Sequence, residues 1–248
     1  MQTVLITGCS SGFGLEIARH FLERDWRVIA TMRTPREDVL PRSERLRVLA
    51  LDVTDAESIR RAVEAAGPID VLVNNAGFGA ASPLELAPMA TARALFETNT
   101  LGTLALTQAV LPQFRERRAG VVVNVTSSVT LKALPLVGVY SASKAAVNAF
   151  TESMAVELEP FGVRVRLVLP GRSPETRFGD NARPNMHGMD HEAYAGLVAD
   201  VLARMRDTSG PVTYSTDVAE AVWRAATDPA SPLRIPAGED AVAWAAER

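Results

Sequence analysis

Tyr140 and Lys144 stand at i and i+4, and a Ser127-Ser128 pair precedes them by a short loop. On a helix, that spacing puts the phenol and the ammonium on one face, a turn apart. The pair suits acid–base work at a carbonyl. A carbonyl that accepts hydride gains negative charge on oxygen and needs a proton donor within hydrogen-bond reach. A phenol can donate, but its ordinary pKa is near ~10. A nearby cation favours the phenolate and is expected to bring that pKa toward working pH. Lysine fits this task better than arginine. Its compact ammonium can serve Tyr140, a ribose and water together, whereas guanidinium is bulkier and does not release a proton readily. The composition sharpens the point: of 26 basic residues, all but Lys132 and Lys144 are arginine. A serine hydroxyl at 127 or 128, at the end of an apolar run, can hold the substrate oxygen. On an ideal strand these two serines point to opposite faces.

A second cluster is Gly8-Cys9-Ser10-Ser11-Gly12-Phe13-Gly14, after the apolar run VLIT. Glycines here permit a tight turn and let a pyrophosphate approach the backbone. The helix start that follows offers unpaired N–H groups to phosphate. Cys9 is expected to be a small filler. The second apolar run ends in Ala30-Thr31-Met32-Arg33. A carboxylate at such a strand end pairs with a free ribose 2′-hydroxyl. Here there is none, and Arg33 can instead pair with a 2′-phosphate, with Ser11 adding a hydroxyl. NADP(H) is the expected cofactor.

Such residues need a scaffold that brings strand ends together. Short apolar runs at 4–7, 26–31, 47–53, 69–75, 120–126 and 163–170 alternate with helical patterns at 13–23, 59–66, 89–117 and 139–159. Short apolar strands separated by helices predict a parallel sheet covered on both faces, with right-handed crossovers. Past Pro170 the pattern breaks into an irregular, Pro- and Gly-bearing stretch, expected to be a substrate lid at about 172–210. Helical patterns resume at 191–206 and 216–227, with a last strand near 233–238. The expectation is one doubly wound α/β Rossmann-type domain over 1–248 with a mostly seven-stranded parallel sheet.

The spacing Thr7-Gly8-x-x-x-Gly12-x-Gly14, the run Asn74-Asn75-Ala76-Gly77, and Ser127 thirteen residues before Tyr140-x-x-x-Lys144 together resemble the short-chain dehydrogenase/reductase family. The resemblance covers about residues 2–171. It implies an oxidoreductase moving hydride between a nicotinamide and a carbonyl or secondary alcohol. It selects Ser127 over Ser128 as the carbonyl-polarising residue, and adds Asn99, whose backbone carbonyl would hold a water linked to Lys144. An Asn within a helix is disfavoured by propensity, consistent with a local role. The resemblance also sets Asp52-Val53 against the adenine and Asn75, Ala76 and Gly77 beside the cofactor. Pro170-Gly171 would lie beside the nicotinamide. Two departures stand out. The family's Thr five residues after that Pro is displaced to Thr176, and Thr130 replaces a common Gly. The TGCSSGFG loop and ATMR strand end look most like the branch that acts on steroids, retinoids and similar alcohols.

Other classes are weighed against this. No apolar stretch approaches the roughly 20 residues of a membrane span. The N-terminal residues lack a secretory pattern, and a single cysteine cannot form an intrachain disulfide. The net charge of −3 gives no argument for nucleic acid. Three histidines leave little for a metal, and none is expected. His187 and His191 read as solvated or substrate-facing. The setting is expected to be cytoplasmic. A homodimer or homotetramer is expected through helices 89–117 and 139–159, the latter carrying Val147, Phe150, Met154 and Leu158 at helical spacing. Selectivity is expected to lie in 80–87, 129–139 and the lid, with Met186, Met189 and Tyr194 either lining a pocket or packing. A non-catalytic NADP(H) sensor is the alternative, one that would not need the Ser, Tyr and Lys set.

Overall fold

In the computed structural model, residues 1–207 and 209–247 are described. Position 208 of the expected lid, and positions 208 and 248 of the expected domain, lie outside the described residues. Seven parallel strands form one sheet: β1 (Thr3–Thr7), β2 (Arg27–Met32), β3 (Leu46–Ala50), β4 (Val71–Asn74), β5 (Gly120–Val125), β6 (Val163–Pro170) and β7 (Arg234–Ala237). Their order is β3-β2-β1-β4-β5-β6-β7. The order reverses between β1 and β4, which opens a crevice at the carboxyl ends of the strands, where ligands of such sheets bind.

The central strands are apolar on both faces because helices cover both. Val4 and Ile6 of β1 pack toward α1 (Gly12–Leu22) and α8 (Ser215–Thr227), through Ile17, Phe21, Val218 and Val222. Leu5, between them, faces the other way, into a cluster with α2 (Ala56–Ala66), α4 (Gly102–Arg117) and α5 (Gly138–Leu158). This is the period-two alternation of a strand with both sides buried.

The structure alters four expectations. The 89–117 segment is not a regular helix: α3 (Met89–Leu95) passes through a π-helical stretch, Phe96–Leu101, into α4. The irregular stretch after Pro170 contains a short α6 (Phe178–Ala182) and a 3-10 turn (Arg183–Asn185). A 3-10 turn at Glu192–Tyr194 precedes α7 (Ala195–Arg206), and a C-terminal helix α9 (Glu239–Ala246), unforeseen in the sequence, follows β7. The α5 stripe expected to join subunits is mostly spent inside the chain, with Phe150 half-buried. Val147, Met154 and Leu158 are buried, and the last two pack with Leu106 and Phe114. The outward face carries Ala142, Ala145, Ala149 and Val156 instead.

Candidate active site

The glycine loop is built by close approach. Gly8 and Gly12 adopt φ of +75° and +58°, a region that L side chains rarely enter. A Cβ on Gly14 would lie 2.4 Å from the Gly8 carbonyl oxygen and 2.6 Å from the Asn75 amide nitrogen. Asn75 laces β4 to β1: its Nδ2 donates to the Thr7 carbonyl at 2.9 Å. The Thr7 hydroxyl accepts from the N–H groups of Asn75 and Ala76, each at 2.9 Å. Cys9 is buried, and burial pushes its thiol up to about 12, so it fills space as expected. Ser10 is exposed, and Phe13 and Ser11 are half-buried. Ser11 opens α1 without a side-chain cap.

Arg33 follows the last residue of β2, is exposed, and makes no hydrogen bond or ion pair among the described residues. Asp52 nearby is occupied by Thr54, whose hydroxyl and N–H donate to its Oδ1 at 2.7 and 2.9 Å. These bonds, ahead of the Arg33 charge, hold the Asp52 carboxyl below the usual range despite partial burial. Val53 is buried against Gly102 at the start of α4.

Tyr140, Lys144 and Ser127 are all buried, at 7%, 6% and 8% exposure, in a chain whose cations are otherwise mostly solvated. Tyr140 and Lys144 occupy the first two turns of α5, and Ser127 lies two residues past the end of β5. Lys144 Nζ donates to the Val125 carbonyl at 3.2 Å. Burial pushes Lys144 down to about 8, because a charged ammonium is disfavoured away from water. Burial likewise pushes Tyr140 up to about 12, and a hydrogen bond with Ser127 opposes it. Burial sets the direction, opposite to the lowering expected from a neighbouring ammonium.

Asn99 lies in the π-helical stretch, a feature found frequently at functional sites. Its Nδ2 donates to the Phe78 carbonyl at 3.0 Å and to Ser143 Oγ at 3.1 Å, and its Oδ1 accepts from the Phe78 N–H at 3.0 Å. A Cβ on Gly77 would meet Asn99 Oδ1 at 2.9 Å and Lys144 Nζ at 3.3 Å, so Gly77, Asn99 and Lys144 converge. Asn99's backbone carbonyl, expected to face a water, accepts the Thr103 hydroxyl at 2.9 Å.

A pocket opens in front of Tyr140, walled by Ala80, Ala81, Ala92, Leu95, Leu136 and Val139. His187 and Asn185 of the lid and Thr91 of α3 supply its polar edge. Sequence reasoning missed Thr91, Ala92 and Leu95, because nothing local shows that α3 folds over the phenol. Met186, Met189 and Tyr194 do not line this cavity. Met186 bridges to Ala81, and the Tyr194 hydroxyl donates to Glu85. His191 caps its own 3-10 turn, accepting from the Ala193 N–H. Leu136 holds φ of +67°, strained for a bulky residue, while its carbonyl accepts the Ser82 N–H at 2.7 Å.

The lid reaches across this pocket. The Phe178 ring lies 5.8 Å, centroid to centroid, from Tyr140 and tilts by 55°. Thr176 Cβ would sit 3.7 Å from a Cβ on Gly12, so the displaced threonine faces the glycine loop. The position it vacates holds Glu175, whose Oε1 accepts the Ser215 N–H at 2.6 Å at the start of α8. Thr130, the other departure, ties the turn after β5 to α5. It donates to the Ser127 carbonyl at 2.8 Å and accepts from Asn148 at 3.0 Å.

A parallel sheet with a glycine cradle at its switch point and a buried Tyr–Lys pair beyond β5 belongs to the dinucleotide-binding α/β class. More specifically, the chain belongs to the short-chain dehydrogenase family, whose model matches residues 2–186. It is therefore an oxidoreductase. It is 39% identical over 198 residues to a 3-ketodihydrosphingosine reductase of Bacteroides thetaiotaomicron, spanning 78% of this chain and 72% of that protein. Human retinol dehydrogenase 8 is 40% identical over 181 residues, spanning 68% of this chain and 58% of its own. A solved short-chain dehydrogenase from Burkholderia cenocepacia in complex with NADP is 29% identical with a TM-score of 0.79, spanning 99% of this chain and 93% of that one. Other solved structures similar in fold hold NADH or NAD. Among the described residues, no helix is long and apolar enough to cross a membrane.

Proposed function

We propose that this oxidoreductase uses NADP(H) to interconvert an apolar ketone and its secondary alcohol, steroid-like, retinoid-like or comparable. The observation that carries the reading is the burial of Ser127, Tyr140 and Lys144 together, with Tyr140 facing a pocket with apolar walls. Burying a lysine and a tyrosine is costly, and strongly perturbed groups in a cleft mark functional sites.

The chain's glycine loop fits a dinucleotide, since Cβ atoms at Gly8, Gly14 and Gly77 would fill the cradle. Gly8, Ser10, Ser11, Gly12, Phe13 and Gly14 would hold the pyrophosphate side, with Arg33 and Ser11 on the 2′-phosphate. Asp52 and Val53 would border the adenine, and Asn75, Ala76 and Gly77 the central part. Tyr140 and Lys144 would meet the ribose, and Pro170, Gly171 and Thr176 the nicotinamide end. When bound, the nicotinamide supplies or takes up the hydride. Tyr140 donates the proton to the carbonyl oxygen in reduction, and its high pKa keeps that proton in place. Ser127 holds the same oxygen. Lys144 stabilises negative charge at the phenol, and Asn99 orients the relay behind it. The α5 and lid segments set the pocket within a single domain spanning 1–248. A cytoplasmic setting and a homodimer or homotetramer belong to the same reading.

The test is a panel of apolar ketones and alcohols assayed with NADPH and NADH, together with Tyr140→Phe. The variant keeps the ring and loses only the hydroxyl. It is expected to fold, to bind NADPH nearly as well as the parent, and to lose at least ~10² in turnover. Near-normal turnover by Tyr140→Phe would falsify the acid assignment. A parent that binds NADPH and turns over no substrate would favour the sensor.

A further inference from the structure

The C-terminal helix α9 sends one carboxylate back into the sheet. Asp240 is buried, and one oxygen accepts the Arg172 N–H at 2.6 Å while the other accepts the Thr213 hydroxyl at 2.6 Å. Thr213 Oγ1 in turn accepts the Gly171 N–H at 3.0 Å, and the Thr213 N–H donates to the Arg172 carbonyl at 2.8 Å. The Arg172 guanidinium reaches further along the lid, to the carbonyls of Met205 and Asp207 at 2.9 and 2.7 Å. Thus the first and last residues of the segment 172–213 are bonded to each other and to the same carboxylate. The packing leaves no slack. A Cβ on Gly171 would stand 2.1 Å from Asp240 Oδ1, and one on Gly238 2.0 Å from Thr213 Oγ1.

We infer that Asp240 is a positioning residue: with Thr213, it clamps both ends of the substrate lid and the Pro170-Gly171 turn to the C-terminal helix. Residue chemistry supports a carboxylate in this place. Two donors converge on it, and a group with two acceptor oxygens meets both, although the Thr213 hydroxyl also lies 3.0 Å from the Ala237 carbonyl. An asparagine keeps the shape but offers one acceptor oxygen, leaving the Thr213 hydroxyl to the Ala237 carbonyl. Thr213 is used as donor and acceptor at once, a task serine can repeat and valine cannot. Asp240 and Thr213 lie beyond the stretch that matches the family model. The part of the inference that concerns the nicotinamide end rests on the cofactor reading above. The part that concerns the lid rests on these hydrogen bonds alone.

Limited trypsin digestion of the full chain tests the clamp, because Arg177 and Arg204 lie in the lid while Arg60 and Arg61 on α2 report general unfolding. Losing one buried bond is expected to speed cleavage at the lid arginines about tenfold in Asp240→Asn and in Thr213→Val. Thr213→Ser should match the parent, and Arg60 and Arg61 should be unaffected throughout. Lid cleavage at the parent rate overturns the inference. So does equal acceleration at Arg60 and Arg61, which marks general loss of stability. Dissociation constants of NADPH and of 2′,5′-ADP, which lacks the nicotinamide, test the second half. Asp240→Asn should weaken NADPH and leave 2′,5′-ADP unchanged, and equal losses overturn the positioning of the nicotinamide end. A parent chain that binds neither molecule counts against the cofactor reading, while the digestion still decides the clamp.

Discussion

A guanidinium just past β2, exposed and in no hydrogen bond or ion pair among the described residues, is the side chain on which the cofactor proposal turns. Arg33→Ala should weaken NADPH binding by roughly 1.5–3 kcal/mol, the range for a hydrogen bond to a charged group. NADH, which has no 2′-phosphate, should be held as before. Titrating both cofactors against both proteins checks this, and equal losses remove Arg33 from the phosphate. Lys144 makes a second residue-scale prediction. Its pKa is lowered to about 8 by burial, so it is cationic below that pH and loses its charge as pH rises through it. Tyr140, pushed up to about 12, keeps its proton across that range. The kcat/KM for NADPH in carbonyl reduction reports groups of the free enzyme. It should therefore fall along one limb centred near 8. A flat profile through that region would remove the Lys144 charge from the relay.

At the scale of elements, buried amides tie the strand ends to the helices that carry the site. Asn74 and Asn124 are register partners on β4 and β5. Asn74 Nδ2 donates to Asn124 Oδ1 at 2.8 Å and to Thr107 of α4 at 2.9 Å, while Asn124 Nδ2 donates to Thr151 of α5 at 2.8 Å. The network joins β4 and β5 to the two helices bearing Asn99's neighbours and Lys144. Asn124→Ala strands buried partners on both sides and should cost about 1–3 kcal/mol for each group left unpaired. Urea unfolding of the variant, with an unchanged slope, would measure it. A midpoint equal to the parent's would mean that the network does not hold these elements. The glycine cradle was legible in the sequence because its turn is local. The amide network was not, since its members meet only after β4 and β5 pair, 50 residues apart in the chain.

For the whole molecule, association through the outer faces of α4 and α5 remains the proposal, although of the residues first expected to carry it Val147, Met154 and Leu158 are buried and Phe150 half-buried. Alanines 142, 145 and 149 leave α5 flat enough for close approach by a second helix, and Val156 is 73% exposed. Sedimentation at micromolar concentration should show a multiple of the 26.6 kDa chain, and Ala149→Arg should shift it toward that mass. A parent that sediments only as 26.6 kDa would reject the association. The sequence by itself determined the alternation of strands and helices up to Pro170, the glycine turn and the Tyr140–Lys144 face. Each depends on periodicity or spacing within a few residues, which the backbone converts directly into geometry. It also determined that Lys144 stands apart in a chain of arginines. Tertiary structure alone decided that α3 walls the pocket, that Leu136 takes a left-handed turn beside it, and that the α5 stripe faces inward. It also decided the direction of the Tyr140 shift and the meeting of Asp240 with Arg172 and Thr213. Burial and long-range pairing come from contacts between segments far apart in the chain, and no local pattern of residue types encodes which of them will meet.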